Sequence, residues 1–435
     1  MKELHRRILT LALPAVMGNV SGTIVGLVDM VMVGSLGPAA IAAVGLSGNF
    51  IWFATSLVYC ISVGTTVLTA KSFGARHREN AQSILSQSTI ATFFLGALVM
   101  VVGSFYTAPL LALFGLEKSV TAYATTFLRI IFFASIPIYL SFNFASALRG
   151  AGDTKTPMIV DIIVNLVNVL LNYILIFGKL GFPRLGVTGS AIASFSAFTI
   201  GLLLYLVIMN SGKFILTMRM GRLNIAQLRS LLVIGIPASL NNIISSVSFL
   251  IYIRIIAYFG TAAISGLQIG LRVESFSYMP GMGFAIAATT LVGQSLGARD
   301  ESGAKTYAEE TTKLSILFMG VMGAVMFFFS VPLASLFTRE QEAIRLAALY
   351  LRITAVSEIP AALWMTLGGA VQGSGDTRFP LYTSAAGLWL FRIPLGYFLG
   401  ITLGLGVMAA WGGMLIDNFV RAILLYWRFK KGLRR

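Results

Sequence analysis

"ALRGAGDTKTP", residues 147–157, recurs 223 positions later as "AVQGSGDTRFP", residues 370–380. At the same offset Pro14 meets Pro237, Pro109 meets Pro332, Pro137 meets Pro360 and Pro157 meets Pro380, with no gap. The chain has 12 prolines in 435 residues, so chance would align only about 0.2 such pairs. Shorter strings agree at that offset too: "SFGAR" (72–76) with "SLGAR" (295–299), "FLRI" (127–130) with "YLRI" (350–353), and "LGPAAI" (36–41) with "FGTAAI" (259–264). One structural unit is written twice.

The composition says what kind of unit it is. Apolar residues make up 57% and charged residues 11% of the chain, against roughly 25% charged in soluble domains. A bilayer admits only helices or closed barrels, because each backbone N–H and C=O must be satisfied within the structure. Barrel strands alternate polar and apolar residues over about ten positions, whereas here apolar runs of about twenty residues recur, the length of a spanning helix. Twelve spans are expected, at 8–34, 47–70, 84–108, 122–147, 157–178, 188–209, 230–257, 266–291, 314–337, 343–370, 381–400 and 405–427. The first is too long for a signal-peptide core and is read as a retained helix.

Six spans per copy is an even number, so both copies enter the membrane in one orientation, related by a pseudo-two-fold axis along its normal. The expected fold is an all-α polytopic membrane protein, twelve transmembrane helices in two pseudo-symmetric six-helix lobes. The expected division is a first lobe at 1–209, a cytoplasmic linker at 210–229 and a second lobe at 230–435.

A net charge of +16 could point to nucleic acid, but the basic residues fall in alternate loops. Lys71, Arg76, Arg78, Arg149, Lys155, Lys213, Arg219, Arg222, Arg299 and the tail from Arg428 to Arg435 share one side; Lys118, Lys179, Arg184, Arg339 and Arg345 share the other. The positive-inside rule makes the first set cytoplasmic. A multi-pass plasma-membrane protein with both termini inside follows, in contact with membrane lipids and not with nucleic acid, and a monomer is expected. Cys60 is the single cysteine, which rules out an internal disulfide and a thiolate metal cluster. Both histidines, His5 and His77, lie in expected cytoplasmic segments. Ionisable chemistry at membrane depth is left to carboxylates and arginines.

Asp29 lies inside the first span, in "LVDMVMVG" (27–34). A charge near the bilayer centre costs about 2.5 to 3.5 kcal/mol on insertion scales. Fifteen residues before it, Pro14 lacks the N–H of a helical bond and marks a hinge candidate. Glu274 and Glu358 are lone acids in second-half spans, able to bind cationic compounds or carry protons, or else to pair with Arg254 or Arg392. Asp417 and Arg421 are four apart, a ready structural pair, and Asp161 lies one turn inside Pro157, where it is placed either to snorkel or to support the helix start. In the duplicated "GDT" segment the glycines suit positive φ, Thr156 a cap and Pro157 a first helical position. Neither copy is a P-loop, so no ATPase and no enzyme is expected.

Several stretches resemble the multidrug and toxic compound extrusion (MATE) family: "LALPAVMGN" (11–19), "VDMVMVGSLGPAAIAAVG" (28–45), "RGAGDTKTPM" (149–158), "NVLLNYILIFGKLGFPRLGVTGSAIAS" (168–194), "MPGMGFAIAATTLVGQSLGA" (279–298) and "IDNFVRAILLYWRFKKG" (416–432). The resemblance implies a V-shaped pair of lobes that exports organic, cationic amphiphilic compounds by antiport with Na+ or H+. It also implies a cation site at Asp29, Asn168, Asn172 and Ser194, with Thr188 nearby. Some relatives carry aspartate where this chain has Asn172, which lowers the site's negative charge. Asn168 and Asn172 are four apart and share one helix face. A carboxylate with amide and hydroxyl oxygens suits a hard cation such as Na+, so Asp29, Asn168 and Asn172 are its candidate ligands; alone, the carboxylate suits a proton.

Two other readings compete. A flippase for lipid-linked saccharides shares the architecture but needs more cationic residues for a pyrophosphate. An intramembrane aspartyl protease could use "GAGD", yet that string falls in expected loops and recurs in each half.

Overall fold

The computed structural model describes residues 2–112, 114, 117–211, 216, 217, 221 and 223–433. Lys213, Arg219, Arg222, Arg434 and Arg435, part of the expected cytoplasmic charge, lie outside the described residues. Among the described residues every regular element is a helix. In the first half these are α1 (Lys2–Gly34), α2 (Pro38–Gly74), α3 (Arg78–Ala112), α4 (Lys118–Phe133), α5 (Ser135–Ala151), α6 (Lys155–Phe177) and α7 (Val187–Asn210). The second half holds α8 (Ile225–Ala257), α9 (Thr261–Gly297), α10 (Glu301–Phe328), α11 (Ser330–Ser335), α12 (Gln341–Gly373), α13 (Arg378–Ala385), α14 (Ile393–Tyr397) and α15 (Gly406–Lys430).

Nine of these helices and the continuous run Arg378–Thr402 are long and apolar enough to cross a membrane, and the pair α4 and α5 makes one further, bent span. Helix α9 is 37 residues long, about 55 Å at 1.5 Å per residue, which exceeds the thickness of a hydrocarbon core of about 30 Å. Large apolar side chains such as Phe105, Phe328 and Leu336 are exposed on the outside, where lipid is the solvent. This is a multi-pass membrane protein.

The duplicated segment shows why its residues recur. Gly152 and Gly375 end their helices with φ of 94° and 92°, a left-handed conformation that favours glycine. Asp153 and Asp376 then cap the next helix: Asp153 Oδ1 accepts from the Thr156 backbone N–H at 3.0 Å, and Asp376 Oδ1 from that of Phe379 at 3.2 Å. The cap is therefore the aspartate and not Thr156, and Pro157 stands third in α6 rather than first. With each aspartate bound to its own helix start, a protease dyad has no support.

The repeat extends to side-chain contacts. Thr66 donates to the carbonyl of Ser146 at 3.1 Å, and its repeat mate Thr289 donates to that of Gly369 at 2.9 Å. A Cβ on Gly150 would meet the Thr66 carbonyl, and one on Gly373 the Thr289 carbonyl. The same close crossing, α5 on α2 and α12 on α9, is built twice.

The paired prolines do not act alike. The span expected at 122–147 is bent by 50° between α4 and α5, just before Pro137, whereas α12 runs unbroken through Pro360. Conversely α3 continues through Pro109, while the span expected at 314–337 breaks at Phe329, before Pro332. A proline deletes one helical hydrogen bond in every case; neighbouring packing decides whether the helix then breaks. In the span expected at 381–400, π-helical turns at Ala386–Arg392 and Phe398–Thr402 flank α14, which contains Pro394.

By packing, the chain forms two compact units, Met17–Ser239 and Leu240–Arg435 with Met1–Val16. These breaks fall within one turn after Pro14 and Pro237, the mated prolines. Ile8, Leu11 and Ala12 pack with Phe284, Ala287 and Leu291. In the other unit Ser239 donates to the Ser56 carbonyl at 2.7 Å. Repeat boundaries and packing boundaries are different things here.

Candidate functional site

Asp29 stands five residues before the end of α1, half-buried, against α6. The Asn172 amide nitrogen donates to its Oδ1 at 2.6 Å. Asn168, one turn back on α6, reaches Ser194 Oγ on α7 at 3.1 Å. Helix α7 comes this close because Gly189 lies against the Leu175 backbone, where a side chain would clash. Asp29, Asn168, Asn172 and Ser194 are thus brought together by three helices. Thr188 is half-buried at the start of α7 and takes no part in these bonds among the described residues. Helix α1 is continuous through Pro14.

The orientation of the Asn168 amide decides the character of the site. One end of it lies 3.1 and 3.2 Å from the two Asp29 oxygens and 3.0 Å from the Asn172 amide nitrogen. With nitrogen there, it donates to both carboxylate oxygens and its oxygen accepts from Ser194 Oγ, so both ends are satisfied; with oxygen there, it accepts from Asn172 but faces two carboxylate oxygens. Asn172 is fully buried, and its own Oδ1 has no partner, a state that costs about 1–3 kcal/mol. A carboxylate beside a buried, unpartnered amide oxygen fits a cation, or a proton on Asp29.

The polar face of α6 extends beyond the expected residues. Asp161, Asn165, Asn168 and Asn172 are spaced 4, 3 and 4 apart, which places them along one stripe. Asn165 donates to Ser21 of α1 at 3.0 Å, and Gly18 packs beside Asp161, which pairs with Arg149 at 3.7 Å. Asn165 was missed at the sequence level, although its spacing carried the signal.

The second half holds two more polar groups. Glu274 accepts from the Tyr350 hydroxyl at 2.6 Å, and Glu358, 2% exposed, accepts from Ser277 at 2.5 Å. Arg392, considered above as their partner, lies instead 2.6 Å from Asp417. Arg421 is also 2.6 Å from Asp417, as the four-residue spacing suggests, and stacks 4.1 Å from the Trp364 ring. The repeat offset could have revealed Arg392. It carries Ser194 onto Asp417, Asn168 onto Phe391 beside Arg392, and Asp29 onto Tyr252, whose ring lies 5.8 Å from the Arg392 guanidinium. The two halves hold polar clusters at matching places, one centred on a carboxylate with neutral partners, the other on a carboxylate between two guanidiniums.

The MatE family profile matches the chain twice, over residues 14–174 and 237–398. The chain belongs to the MatE family. Its members are transporters, not enzymes, and this MATE protein is similar over 99% of its length, at 31% identity, to the "Probable multidrug resistance protein NorM" of Thermotoga maritima, of which 93% is covered. It is 29% identical to the "Probable multidrug resistance protein YoeA" of Bacillus subtilis, over 95% of this chain and 90% of that one. Among solved structures, the Vibrio cholerae MATE transporter VcmN, in a mutant form, matches with a TM-score of 0.92 at 23% identity, covering 99% of this chain and 97% of that one. A MATE in complex with MaL6 matches equally well, with a TM-score of 0.92 at 23% identity over 98% and 96%. These structural likenesses establish the MATE fold.

Proposed function

We propose that this MATE protein is a secondary active multidrug exporter that expels small organic compounds, cationic amphiphiles among them, in exchange for Na+ or H+ bound at Asp29. The observation that carries the reading is the polar cluster at the junction of α1, α6 and α7: the Asp29 carboxylate with neutral amide partners, Asn168 and Asn172, and a buried, unpartnered Asn172 Oδ1. For Na+, Asp29, Asn168 and Asn172 would supply the oxygens; for H+, Asp29 alone would carry it. The names of the curated relatives support the substrate class.

Coupling follows from differential binding. A bound ion shifts the equilibrium between conformations only if its affinity differs between them, and rotating the Asn168 amide changes the site from acceptor-rich to donor-rich. Both termini are assigned to the cytoplasm on the loop charge bias. A flippase for lipid-linked saccharides would need uncommitted cations, and the buried Arg392 and Arg421 are both engaged by Asp417.

The test is transport of a fluorescent organic cation into or out of proteoliposomes with Na+ and pH gradients imposed separately. Uphill movement is expected with one gradient and not without any. Movement independent of both would overturn the reading.

A further inference from the structure

The second half departs from its repeat mate along one side, and the departures together form a groove. Helix α10 breaks at Phe329 and restarts as the short α11; its mate α3 does not break. Helix α15 begins after a π-helical turn that α6 lacks. Between α11, α12 and the start of α15 lies an open cavity of about 460 Å³, walled by Val331, Leu349 and Met408 and carrying Gln341, Arg345 and Arg352.

The two arginines are seven residues apart on α12 and share one face. Arg352 is mated by Arg129 in the repeat, while Arg345 replaces Ala122 and is peculiar to the second half. Helix α12 has 33 residues, about 50 Å, so it overhangs a hydrocarbon core of about 30 Å by roughly 10 Å at each end. Arg345, in the second turn, therefore lies at headgroup level. Arg352 sits about 10 Å deeper, inside the hydrocarbon edge.

A guanidinium at that depth either snorkels to the interface or is stabilised by an anion beside it. Arg352 donates through Nε to Ser330 Oγ at 3.0 Å; its two Nη groups have no partner among the described residues. Among the described residues Arg345 pairs with Glu342, at 3.6 Å in an exposed pair, worth little by itself. The Nη fork of arginine matches phosphate oxygens.

We infer that this groove is a binding site for one anionic phospholipid of the leaflet that meets the start of α12. The phosphate lies between Arg345 and Arg352, and an acyl chain runs along Val331, Leu349 and Met408. Exposed apolar walls suit an acyl chain, and two cations against one acid at the mouth favour a net negative headgroup over a zwitterionic one.

The experiment measures thermal stabilisation of the detergent-purified full chain by phosphatidylglycerol, phosphatidylcholine and inorganic phosphate, with native mass spectrometry of retained lipid. Phosphatidylglycerol is expected to stabilise and to be retained; phosphatidylcholine and phosphate are not. Arg345→Gln with Arg352→Gln should weaken phosphatidylglycerol binding about 30-fold, and either alone about 5-fold. Val331→Glu, which adds a like charge to the wall without touching either arginine, should weaken it too. Both arginines are exposed, so the folded state is retained. A phosphatidylglycerol preference unchanged in the double variant, or stabilisation by inorganic phosphate equal to that by the lipid, overturns the assignment.

Discussion

Ser194 and Asp417 occupy one position in two copies of the same fold, 223 residues apart, with opposite surroundings. The Ser194 hydroxyl meets the neutral Asn168 amide at 3.1 Å, whereas Asp417 is held by Arg392 and Arg421, each at 2.6 Å. In the second half the counter-charge is covalently tethered. In the first half the partners of Asp29 among the described residues are neutral amides.

Asp29→Asn keeps the shape of the site and cannot be charged. It is expected to insert and fold while uphill efflux falls more than about tenfold, the loss of at least 1.4 kcal/mol of coupling; Asp29→Glu should retain part. Drug efflux at matched expression is the readout, and an Asp29→Asn protein that still concentrates drug uphill would reduce this carboxylate to helix-packing glue.

Asp417→Asn leaves two buried guanidiniums facing each other. Breaking a buried charge pair from one side costs about 3–5 kcal/mol, so the melting temperature in detergent should drop by several degrees. Adding Arg421→Gln to that variant should recover part of the loss, because the repulsion goes with it. A double-mutant cycle with no coupling would contradict the cluster.

Glu358→Gln preserves volume and still accepts from Ser277, so its stability should change by less than about 1 kcal/mol. Export of cationic compounds should fall across the pH range tested. If both Glu358→Gln and Glu274→Gln export cations at full rate, the second-half acids serve packing alone.

Gly150→Ala and Gly373→Ala each push a methyl group into the threonine carbonyl of the facing helix. Overpacking of this kind costs about 1–3 kcal/mol. Because the two contacts are repeat mates, the losses should be similar within about 1 kcal/mol; thermal melts of the two variants side by side measure this.

The sequence alone determined that the chain spans a membrane, that it is a duplicated six-helix unit, that it resembles the MATE family, and that Asn168 and Asn172 share a face. These are local or periodic properties. Span length follows from bilayer thickness, repeat offset from proline register, and a four-residue spacing from helix pitch. Asn165 is equally legible from its spacing on the same face.

Only the tertiary structure decided which helix faces which. That Asn165 meets Ser21 and that Arg392 joins Asp417 depend on the rotation of one helix against another, which no single-helix periodicity contains. The same holds for the prolines. Pro137 follows a bend and its mate Pro360 does not, while Pro332 follows a break and Pro109 does not. Each proline removes the same hydrogen bond; whether the helix breaks there is settled by the side chains packed against it, and those differ between the halves.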